Sequence, residues 1–400
     1  MFDTLNWNRP CSVCNSNNKK LLFRQKFKKF NHIGLLAGYD VVVCDSCGFC
    51  YADHLPDQSE FDAYYRDMSK YEHQDRHGEP SEFETRQFPM LVKFIQEHLA
   101  DSHARILEIG CANGGLLHAL KGAGYQNIFG IDPSPTCATF AHDLYDIRID
   151  TGTIADIDIK CGPFDFIIMV AVLEHIRDLD HALEKLHYLL STEGKVYIEV
   201  PDATKFATSP DAPYQEFSGE HINFFSSVSL ANLMGANGFT EIYSTPTCYE
   251  QTDTHKGYAI RAIYKYGESD SVFLPITDYS SEIGLNAYIQ ASYSVESHIH
   301  AVVRMLVNSQ EPLIVWGVGT HTQRLLATSE LATANIVAFV DSNPNYQGKR
   351  LHNITIMAPE ELAATTASVL VSSKVFQSEI VHIIRLDLNL KNRIITLYDD

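Results

Sequence analysis

The fold of this 400-residue chain is decided by the stretch Ile106-Leu-Glu-Ile-Gly-Cys-Ala-Asn-Gly-Gly-Leu-Leu117, which is followed by Ile128-Phe-Gly-Ile-Asp132. The pattern predicts a buried β-strand, a glycine turn, a helix and a second strand that ends in a carboxylate. Gly110 and Gly114 remove the side chains that would keep a ligand away from the backbone. At the tip of the second strand, Asp132 can accept hydrogen bonds from a pair of ribose hydroxyls. The stretch therefore predicts a site for a nucleoside-containing cofactor.

A dinucleotide is the competing ligand, because Gly110, Ala112 and Gly115 loosely fit the pyrophosphate fingerprint. Glu108, however, lies inside the strand two residues before the first glycine, where its charge would repel a pyrophosphate. A carboxylate at that place suits a cation, such as the amino group of a methionine moiety. We therefore favour S-adenosylmethionine (SAM) over NAD.

Three later segments follow the order of a methyltransferase. They are Gly162-Pro-Phe-Asp-Phe-Ile-Ile-Met-Val170 as a fourth strand, Leu173-Glu-His-Ile176, and Glu193-Gly-Lys-Val-Tyr-Ile-Glu-Val-Pro201 as a turn and a fifth strand. Together with the glycine turn they resemble the class I SAM methyltransferases over roughly residues 80–265. The resemblance implies a Rossmann-like α/β core and a set of SAM-binding residues at strand ends and turns, namely Glu108, Gly110, Ala112, Asn113, Gly114, Asp132, Pro133, Ile154, Ala155, Asp156 and Ala171.

The composition favours a soluble enzyme. The chain has 31 basic and 50 acidic residues and a formal net charge of −19, which makes it a poor partner for nucleic acid. Its first residues lack a basic region followed by an apolar one, and no apolar run approaches the length of a membrane span. We expect a cytoplasmic protein that acts on a small molecule and has neither nucleic acid nor membrane as a partner.

Cysteine usage points to a metal. Five of the nine cysteines fall in the first fifty residues. Cys11 and Cys14 form one CxxC pair and Cys44 and Cys47 form a second, so four thiolates can surround one tetrahedral ion. A redox pair and disulfides are the alternatives, although disulfides are rare in cytoplasmic proteins. We predict a structural Zn²⁺ site and give Cys50 no role in it.

The chain is predicted to have three segments. Residues 1–75 hold the zinc-binding module and an aromatic-rich connector that includes Phe61-Asp-Ala-Tyr-Tyr65. Residues 76–265 form the methyltransferase core. Residues 266–400 form a further Rossmann-like α/β domain.

The third segment has a strand and a glycine turn of its own, which differ in length and motif from those of the core, so the chain has no internal repeat. A helical stretch from Leu285 to Val307 precedes the strand and turn of Pro312-Leu-Ile-Val-Trp-Gly-Val-Gly319, and Ile336-Val-Ala-Phe-Val-Asp341 ends in a carboxylate. Thr322 occupies the place of the third glycine in the dinucleotide fingerprint. We therefore favour a docking surface for part of the substrate over a second cofactor site.

The order of the three segments resembles the nucleotide-deoxysugar C-methyltransferases, over essentially the whole chain. Val315-Trp-Gly-Val-Gly-Thr320 and Phe339-Val-Asp-Ser-Asn343 also match the pattern of that family. The resemblance implies SAM and structural zinc as cofactors and a nucleotide sugar as the small-molecule substrate.

The catalytic element of that family is a Tyr-x-Glu-His motif after the fifth strand. The matching stretch here is Glu216-Phe-Ser-Gly-Glu-His-Ile-Asn-Phe-Phe-Ser226, in which Glu220 and His221 occupy the Glu-His positions. The resemblance implies that His221 is the base that removes a proton from the sugar carbon beside a keto group. Ser218 replaces the tyrosine and departs from the pattern. The family pattern places two further side chains in the active site, His175 and Tyr71.

The chemistry of C-methylation explains why a histidine is needed. A carbon becomes a nucleophile only after it has lost a proton, and a neighbouring keto group makes that proton acidic. Histidine suits this task because its pKa lies near the working pH. Glu220 would orient the imidazole or hold a sugar hydroxyl, and hydrogen-bond donors would stabilise the enolate.

Two other functions stay open at this point. The first is O- or N-methylation of a sugar or another small metabolite, in which His221 would deprotonate a hydroxyl or an amine. The second is a binding module that keeps the SAM fold without catalysis. The presence of Glu108, Asp132, Glu220 and His221 together argues against the second.

Overall fold

A computed structural model of the chain describes residues 8–28, 35–69, 72, 76–208, 211–251, 255–267 and 273–398. The chain folds into two compact units, and each is assembled from separate segments. Unit 1 contains residues up to 21 together with 42–205 and 222–283, and unit 2 contains 22–41, 206–221 and 284–400. The three-segment division with boundaries at residues 75 and 265 stays a prediction.

The first half of the chain begins with three strands and two helices and continues with strands and helices that mostly alternate. In chain order they are β1 (Lys19–Lys26), β2 (Gly38–Cys44), β3 (Cys50–Asp53), α1 (Gln58–Met68), α2 (Glu82–His98), β4 (Ile106–Ile109), α3 (Gly115–Gly122), β5 (Ile128–Asp132), α4 (Pro135–Tyr145), β6 (Asp150–Thr151), β7 (Phe164–Val170), α5 (Leu179–Leu189) and β8 (Leu190–Pro201).

The second half begins with short elements and a hairpin and continues with a further α/β arrangement. Its elements are β9 (Asn223–Phe224), α6 (Ser227–Ala236), β10 (Phe239–Glu250), β11 (Lys256–Tyr266), α7 (Ser280–Ser309), β12 (Leu313–Trp316), α8 (Thr320–Thr328), β13 (Ile336–Val340), β14 (Arg350–Leu351), β15 (Ile354–Met357), β16 (Ser368–Val371), α9 (Gln377–His382) and β17 (Ile394–Thr396).

Unit 1 is built around a seven-stranded sheet with the order β10-β11-β8-β7-β4-β5-β6. The five strands β8, β7, β4, β5 and β6 are neighbours in this order and run parallel. At the β8 edge, β11 pairs antiparallel with β8 and β10 pairs antiparallel with β11. The carboxyl ends of the parallel strands share one edge of the sheet, where ligands bind in folds of this class. A second sheet has the order β1-β2-β3-β9.

The alternation of side chains along β4 explains how this strand is buried on both faces. Ile106 packs into the cluster that contains Leu91 and Ile95 of α2, whereas Leu107 and Ile109 join the cluster on the opposite face. α2 begins at a capping box, in which Ser81 Oγ accepts the backbone N–H of Glu84 and the Glu84 carboxylate accepts the N–H of Ser81. Glu108 is therefore the acidic exception in an otherwise apolar strand.

The structure corrects one detail of the predicted fifth strand. We expected a turn at Glu193-Gly194 before the strand, but β8 begins at Leu190 and continues to Pro201 without a break. The pairing of β8 with β7 changes register between Phe164 and Phe166 of β7. The residues of β8 that we predicted as a turn lie within this irregularity.

Unit 2 contains a six-stranded sheet with the order β14-β15-β13-β12-β16-β17. All of its neighbours pair in parallel except β14, which is antiparallel to β15. The predicted helix of residues 285–307 is α7, which is longer at both ends. In the described part of the chain, no helix combines the length and the apolar character needed to cross a membrane.

Candidate active site

A cavity of about 440 Å³ lies in unit 1 beyond the carboxyl ends of β4 and β5. Most of the predicted SAM-binding residues contribute to its wall: Glu108, Gly110, Ala112, Asn113, Asp132, Pro133, Ile154, Ala155 and Ala171. Gly114 and Asp156 are not among the described lining residues. The structure thus brings nine residues that are dispersed in the sequence around one cavity.

Glu108 is one of the acidic groups in this wall. Its side chain is buried, and its Oε2 has no hydrogen-bond partner among the residues that the structure describes. Burial raises the pKa of the Glu108 carboxyl well above its usual value, and the charge of Asp132 raises this pKa further. A buried carboxylate oxygen without a partner carries a free-energy cost, which a bound cation offsets. Glu108 therefore fits the ammonium group of SAM.

Asp132 is held in place by the backbone. Its Oδ2 accepts the N–H of Ala112 at 2.9 Å, and its Oδ1 accepts the N–H of Ser134 at 2.9 Å. Burial raises the pKa of Asp132, while these two hydrogen bonds act in the opposite direction. Each carboxylate oxygen retains acceptor capacity, so the group fits the ribose hydroxyls.

The glycine turn brings backbone close to the cavity. Gly110 has a φ of +69°, and a Cβ at this position would lie 2.8 Å from Cγ2 of Val172. Gly114 has a φ of +74° and is the N-cap of α3. Asn113 donates from Nδ2 to the backbone oxygens of Glu72 and Gly78, each at 3.0 Å. The side chain of Asn113 thus fixes the turn to the segment before α2.

The turn at residues 153–156 is shaped by a local cap. Asp156 accepts hydrogen bonds from the backbone N–H of Thr153 at 2.7 Å and from its hydroxyl at 3.0 Å. The carboxylate therefore acts on its own turn, and Ile154 and Ala155 face the cavity. An apolar edge of this kind suits an adenine ring.

His175 lies in the wall of the same cavity, in the short helical turn Leu173–His175. Its Nδ1 is 2.8 Å from the hydroxyl oxygen of Tyr65 on α1, and Tyr65 also lines the cavity. On the other side of the ring, Nε2 lies 3.8 Å from Oε1 of Glu174. The imidazole is thus placed between a phenol and a carboxylate.

The Glu-His loop belongs to unit 2 and has its own internal contacts. Ser218 Oγ accepts the backbone N–H groups of Glu220 at 3.2 Å and His221 at 3.1 Å. Nδ1 of His221 lies 3.8 Å from Oε2 of Glu216. Ser218 therefore shapes the loop.

The residue after His221 is anchored in unit 1. Ile222 donates its backbone N–H to the backbone oxygen of Glu174 at 2.8 Å, and its own oxygen accepts the N–H of Ala52 at 2.8 Å.

Sequence reasoning missed two side chains near the cavity. Tyr65 is one of them, although the aromatic run that contains it was visible. Glu72 is the other, and its Oε1 accepts a hydrogen bond from Ser134 Oγ at 2.6 Å. Tyr71, which we predicted in the active site, lies outside the described residues.

The four predicted zinc ligands lie together in unit 1. The Sγ atoms of Cys11, Cys14, Cys44 and Cys47 are all within 4.8 Å of one another, and the pairs Cys11–Cys47 and Cys14–Cys44 are each 3.5 Å apart. A tetrahedral ion with Zn–S bonds of about 2.3 Å requires sulfur atoms about 3.8 Å apart. The donor set and its spacing fit such an ion.

Two known families match separate parts of the chain. A family described as methyltransferase domain matches residues 82–244, and a family described as C2185-like, N-terminal matches residues 309–395. The chain is 24% identical over 273 residues to C-methyltransferase NovU of Streptomyces niveus, a match that covers 64% of this chain and 63% of that protein.

Two further similarities are shorter or more distant. The chain is 33% identical over 114 residues to a tRNA U34 carboxymethyltransferase of Cellvibrio japonicus, covering 26% of this chain and 35% of that protein. The crystal structure of 1,6-didemethyltoxoflavin-N1-methyltransferase from Burkholderia thailandensis is similar at 20% identity and a TM-score of 0.42, over 55% of this chain and 95% of that chain. The chain spans 35% and 63% of the length of the two curated relatives.

The core of this chain is therefore a SAM-dependent methyltransferase domain with the class I Rossmann-like fold. The predicted fold class and the prediction of a SAM-dependent methyltransferase are confirmed at this level. A domain of this class uses SAM as the methyl donor.

Proposed function

We propose that the protein is a SAM-dependent C-methyltransferase whose acceptor is a nucleotide-linked keto-deoxysugar. The observation that carries this proposal is the similarity to C-methyltransferase NovU, which extends over 64% of the chain and therefore well beyond the 82–244 methyltransferase domain. The Glu220-His221 pair after β8 and the four-cysteine group before β3 support it.

SAM supplies an electrophilic methyl group when it is bound, and the cavity residues would hold it. Glu108 would pair with its ammonium group, because the buried Oε2 needs a cation. Asp132 would accept the ribose hydroxyls, and the turn with Ile154 and Ala155 would lie against the adenine.

His221 is the proposed base. Its imidazole would take the proton from the sugar carbon beside the keto group, and the electron pair of that C–H bond would form the enolate. Glu216, 3.8 Å from Nδ1, would stabilise the imidazolium that results. The Rossmann-like segment of residues 266–400 would dock the remainder of the acceptor.

Zinc is the proposed ion of the four-cysteine group, with a structural role. Thiolate ligation would contribute folding free energy to a module with a small core. Metal analysis of the purified protein should show about one zinc per chain, and Cys14→Ser should lower it. Cys50→Ser is the matched control, because Cys50 lies outside the group. Protein that folds equally well without zinc would contradict this assignment.

Solvent hydrogen exchange tests the proposed reaction before any methyl is transferred. A thymidine diphosphate 4-keto-6-deoxyhexose is incubated in D₂O with the protein and S-adenosylhomocysteine, and deuterium at the carbon beside the keto group is followed by mass spectrometry. His221→Ala should lower the exchange rate by about 10²–10⁴-fold, the usual contribution of a positioned base.

The control for this experiment is His142→Ala, which alters an exposed histidine. SAM affinity should stay near the wild-type value in both variants. Exchange at a near-normal rate in His221→Ala would remove His221 from the role of base.

A further inference from the structure

The turn at residues 153–156 uses its polar side chains for its own cap. The Thr153 hydroxyl donates to Oδ2 of Asp156 at 3.0 Å, and the same oxygen accepts the Thr153 N–H at 2.7 Å. Ile154 and Ala155, which face the cavity, are apolar. A side-chain acceptor for the 6-amino group of an adenine beside this turn must therefore come from another part of the cavity wall.

Asp62, on the second turn of α1, contributes a carboxylate to this wall. Its Oδ1 accepts a hydrogen bond from the side-chain nitrogen of Gln58 at 2.8 Å. In the described part of the chain, its Oδ2 has no hydrogen-bond partner. Because each carboxylate oxygen has two acceptor sites, Asp62 keeps acceptor capacity for a donor on a ligand.

Hydrogen bonds connect α1 to the turn through α5. The side-chain oxygen of Gln58 accepts the backbone N–H groups of Arg177 at 2.8 Å and Asp178 at 3.0 Å. Asp178 is the N-cap of α5. Further along α5, Lys185 donates from Nζ to the backbone oxygen of Ala155 at 3.3 Å. The helix that carries Asp62 and the turn at residues 153–156 are therefore parts of one wall within unit 1.

The charges on this wall distinguish Asp62 from its acidic neighbours. Asp178 also lines the cavity, but its carboxylate accepts the backbone N–H of His181 at 3.3 Å as the cap of α5. Burial raises the pKa of the Asp62 carboxyl, the Gln58 hydrogen bond acts in the opposite direction, and the charge of Asp156 raises this pKa again. A ligand donor at Asp62 would favour its ionised form, because a hydrogen bond to a carboxylate offsets the cost of burying it.

We propose that the Asp62 carboxylate accepts a hydrogen bond from the 6-amino group of the SAM adenine. This inference rests on the part of the proposed function that places the adenine against Ile154 and Ala155. The ring would lie on the apolar side chains of the turn, and its amino group would donate to α1. A purine with a 6-oxo group would instead place an oxygen against the carboxylate, and the two acceptors would repel each other. The contact therefore selects adenine over a 6-oxopurine.

Calorimetric titration with S-adenosylhomocysteine tests this contact without any methyl acceptor. The second ligand is the same molecule with hydrogen in place of the 6-amino group. The wild-type protein should bind S-adenosylhomocysteine about 10–100-fold more tightly than the 6-deamino compound, the value of a hydrogen bond to a charged group. Asp62→Ala should lose this factor for S-adenosylhomocysteine. It should bind the 6-deamino compound at least as tightly as the wild type does, because no carboxylate is then left without a donor.

Two further variants separate this role from a structural one. Asp62→Asn keeps the shape and an amide oxygen, so it should retain a preference of about 2–10-fold for the amino compound, the value of a neutral hydrogen bond. Its amide N–H should also raise the affinity for S-inosylhomocysteine, which carries a 6-oxo group, above that of the wild type. Asp67→Ala is the matched control, because it removes a carboxylate of the same helix that is 65% exposed, and it should discriminate as the wild type does.

The outcomes distinguish this inference from the proposed function. Equal losses of affinity for both ligands in Asp62→Ala would overturn the inference, since Asp62 would then act only on the shape of the cavity. Equal binding of the two ligands by the wild-type protein would overturn it as well. Neither result bears on C-methylation, because the titration contains no acceptor. A protein that fails to methylate carbon but discriminates through Asp62 would contradict the proposed function and leave the adenine contact standing.

Discussion

The chain builds the same strand, turn and carboxylate arrangement twice, once in each compact unit. In unit 1 the N–H of Gly110 donates to the backbone oxygen of Ile131 at 2.8 Å, and in unit 2 the N–H of Gly317 donates to that of Val340 at 2.8 Å. Both glycines have a positive φ, +69° and +96°. The two turns therefore leave their first strands in the same way.

The carboxylates that follow the second strands are also held alike. Asp132 and Asp341 each accept two backbone N–H groups at 2.9 Å, one from the glycine turn and one two residues further along their own loop. The donors are Ala112 and Ser134 for Asp132, and Val318 and Asn343 for Asp341. Burial raises the pKa of both carboxyl groups.

The difference lies two residues before each glycine, where unit 1 has Glu108 and unit 2 has Val315. Glu108 is a buried carboxyl that lines the cavity, whereas Val315 is an apolar residue with 0% exposure. The comparison shows that both units combine this turn geometry with a carboxylate at the tip of the second strand. We propose that a site for the cationic end of SAM depends on one additional acidic residue inside the strand.

The largest effect is expected when unit 2 is given the acidic residue. Val315→Glu buries a charge for which the valine site offers no bound cation, and it should lower the free energy of unfolding by about 3–5 kcal/mol, the cost of an unpaired buried charge. Thermal unfolding measures this, with Val315→Met as an uncharged control of similar length. A stable Val315→Glu protein would mean that unit 2 can also accommodate a cation.

The two strand-tip aspartates should behave differently towards SAM. Asp132→Ala should weaken SAM binding by about 1.5–3 kcal/mol, the value of hydrogen bonds to a charged group. Asp341→Ala makes the same change in unit 2 and should leave SAM affinity unaltered. Isothermal titration calorimetry distinguishes the two, and equal losses would contradict the assignment of the SAM site to unit 1 alone.

The pH dependence of SAM binding should depend on Glu108. Because burial raises the pKa of this carboxyl in the SAM-free protein, SAM must bind the ionised form against that shift, and its affinity should rise as the pH rises through that raised pKa. In the SAM-free protein, the same carboxyl affects the stability of the fold with the opposite pH dependence. A pKa that is raised in the folded state stabilises the fold at low pH, and this contribution is lost as the pH rises through that pKa.

Glu108→Gln is the variant that tests this dependence. It should bind SAM more weakly and lose most of the pH dependence, while Glu97→Gln, a change at an exposed position, should retain both. An unchanged pH profile in Glu108→Gln would assign the titration to another group.

The smallest effects are expected at the two turn glycines. Gly110→Ala and Gly317→Ala each force a side chain into a left-handed backbone conformation. Each change should lower the free energy of unfolding by about 1–2 kcal/mol. The added Cβ meets a valine methyl in the first case and the backbone oxygen of Ser372 in the second, at 2.8 and 3.2 Å. Both variants should unfold at lower temperature, but only Gly110→Ala should also weaken SAM binding.

Local patterns were sufficient to predict much of this molecule. The strand, glycine turn and Asp132 follow from short-range rules of chain geometry, and so do the Cys11–Cys14 and Cys44–Cys47 pairs. These features depend on residues that are close in the chain, so the sequence displays them directly.

The remaining features depend on contacts that no local pattern shows. The Tyr65–His175 hydrogen bond joins distant residues, and the aromatic run around Tyr65 has the same composition as any buried connector. The loop-shaping role of Ser218 depends on which way its hydroxyl turns. The assembly of unit 2 from residues 22–41, 206–221 and 284–400 likewise leaves no local signature.

The site of methylation on the product tests the central claim most directly. The protein is incubated with thymidine diphosphate 4-keto-6-deoxyhexose, labelled with ¹³C in the sugar ring, and with SAM labelled with ¹³C in its methyl group, and the product is examined by NMR. The account predicts one-bond ¹³C–¹³C coupling between the new methyl group and the ring carbon beside the ketone. A new methyl resonance without that coupling, on oxygen or nitrogen, would contradict C-methylation and leave only the SAM-dependent methyltransferase assignment standing.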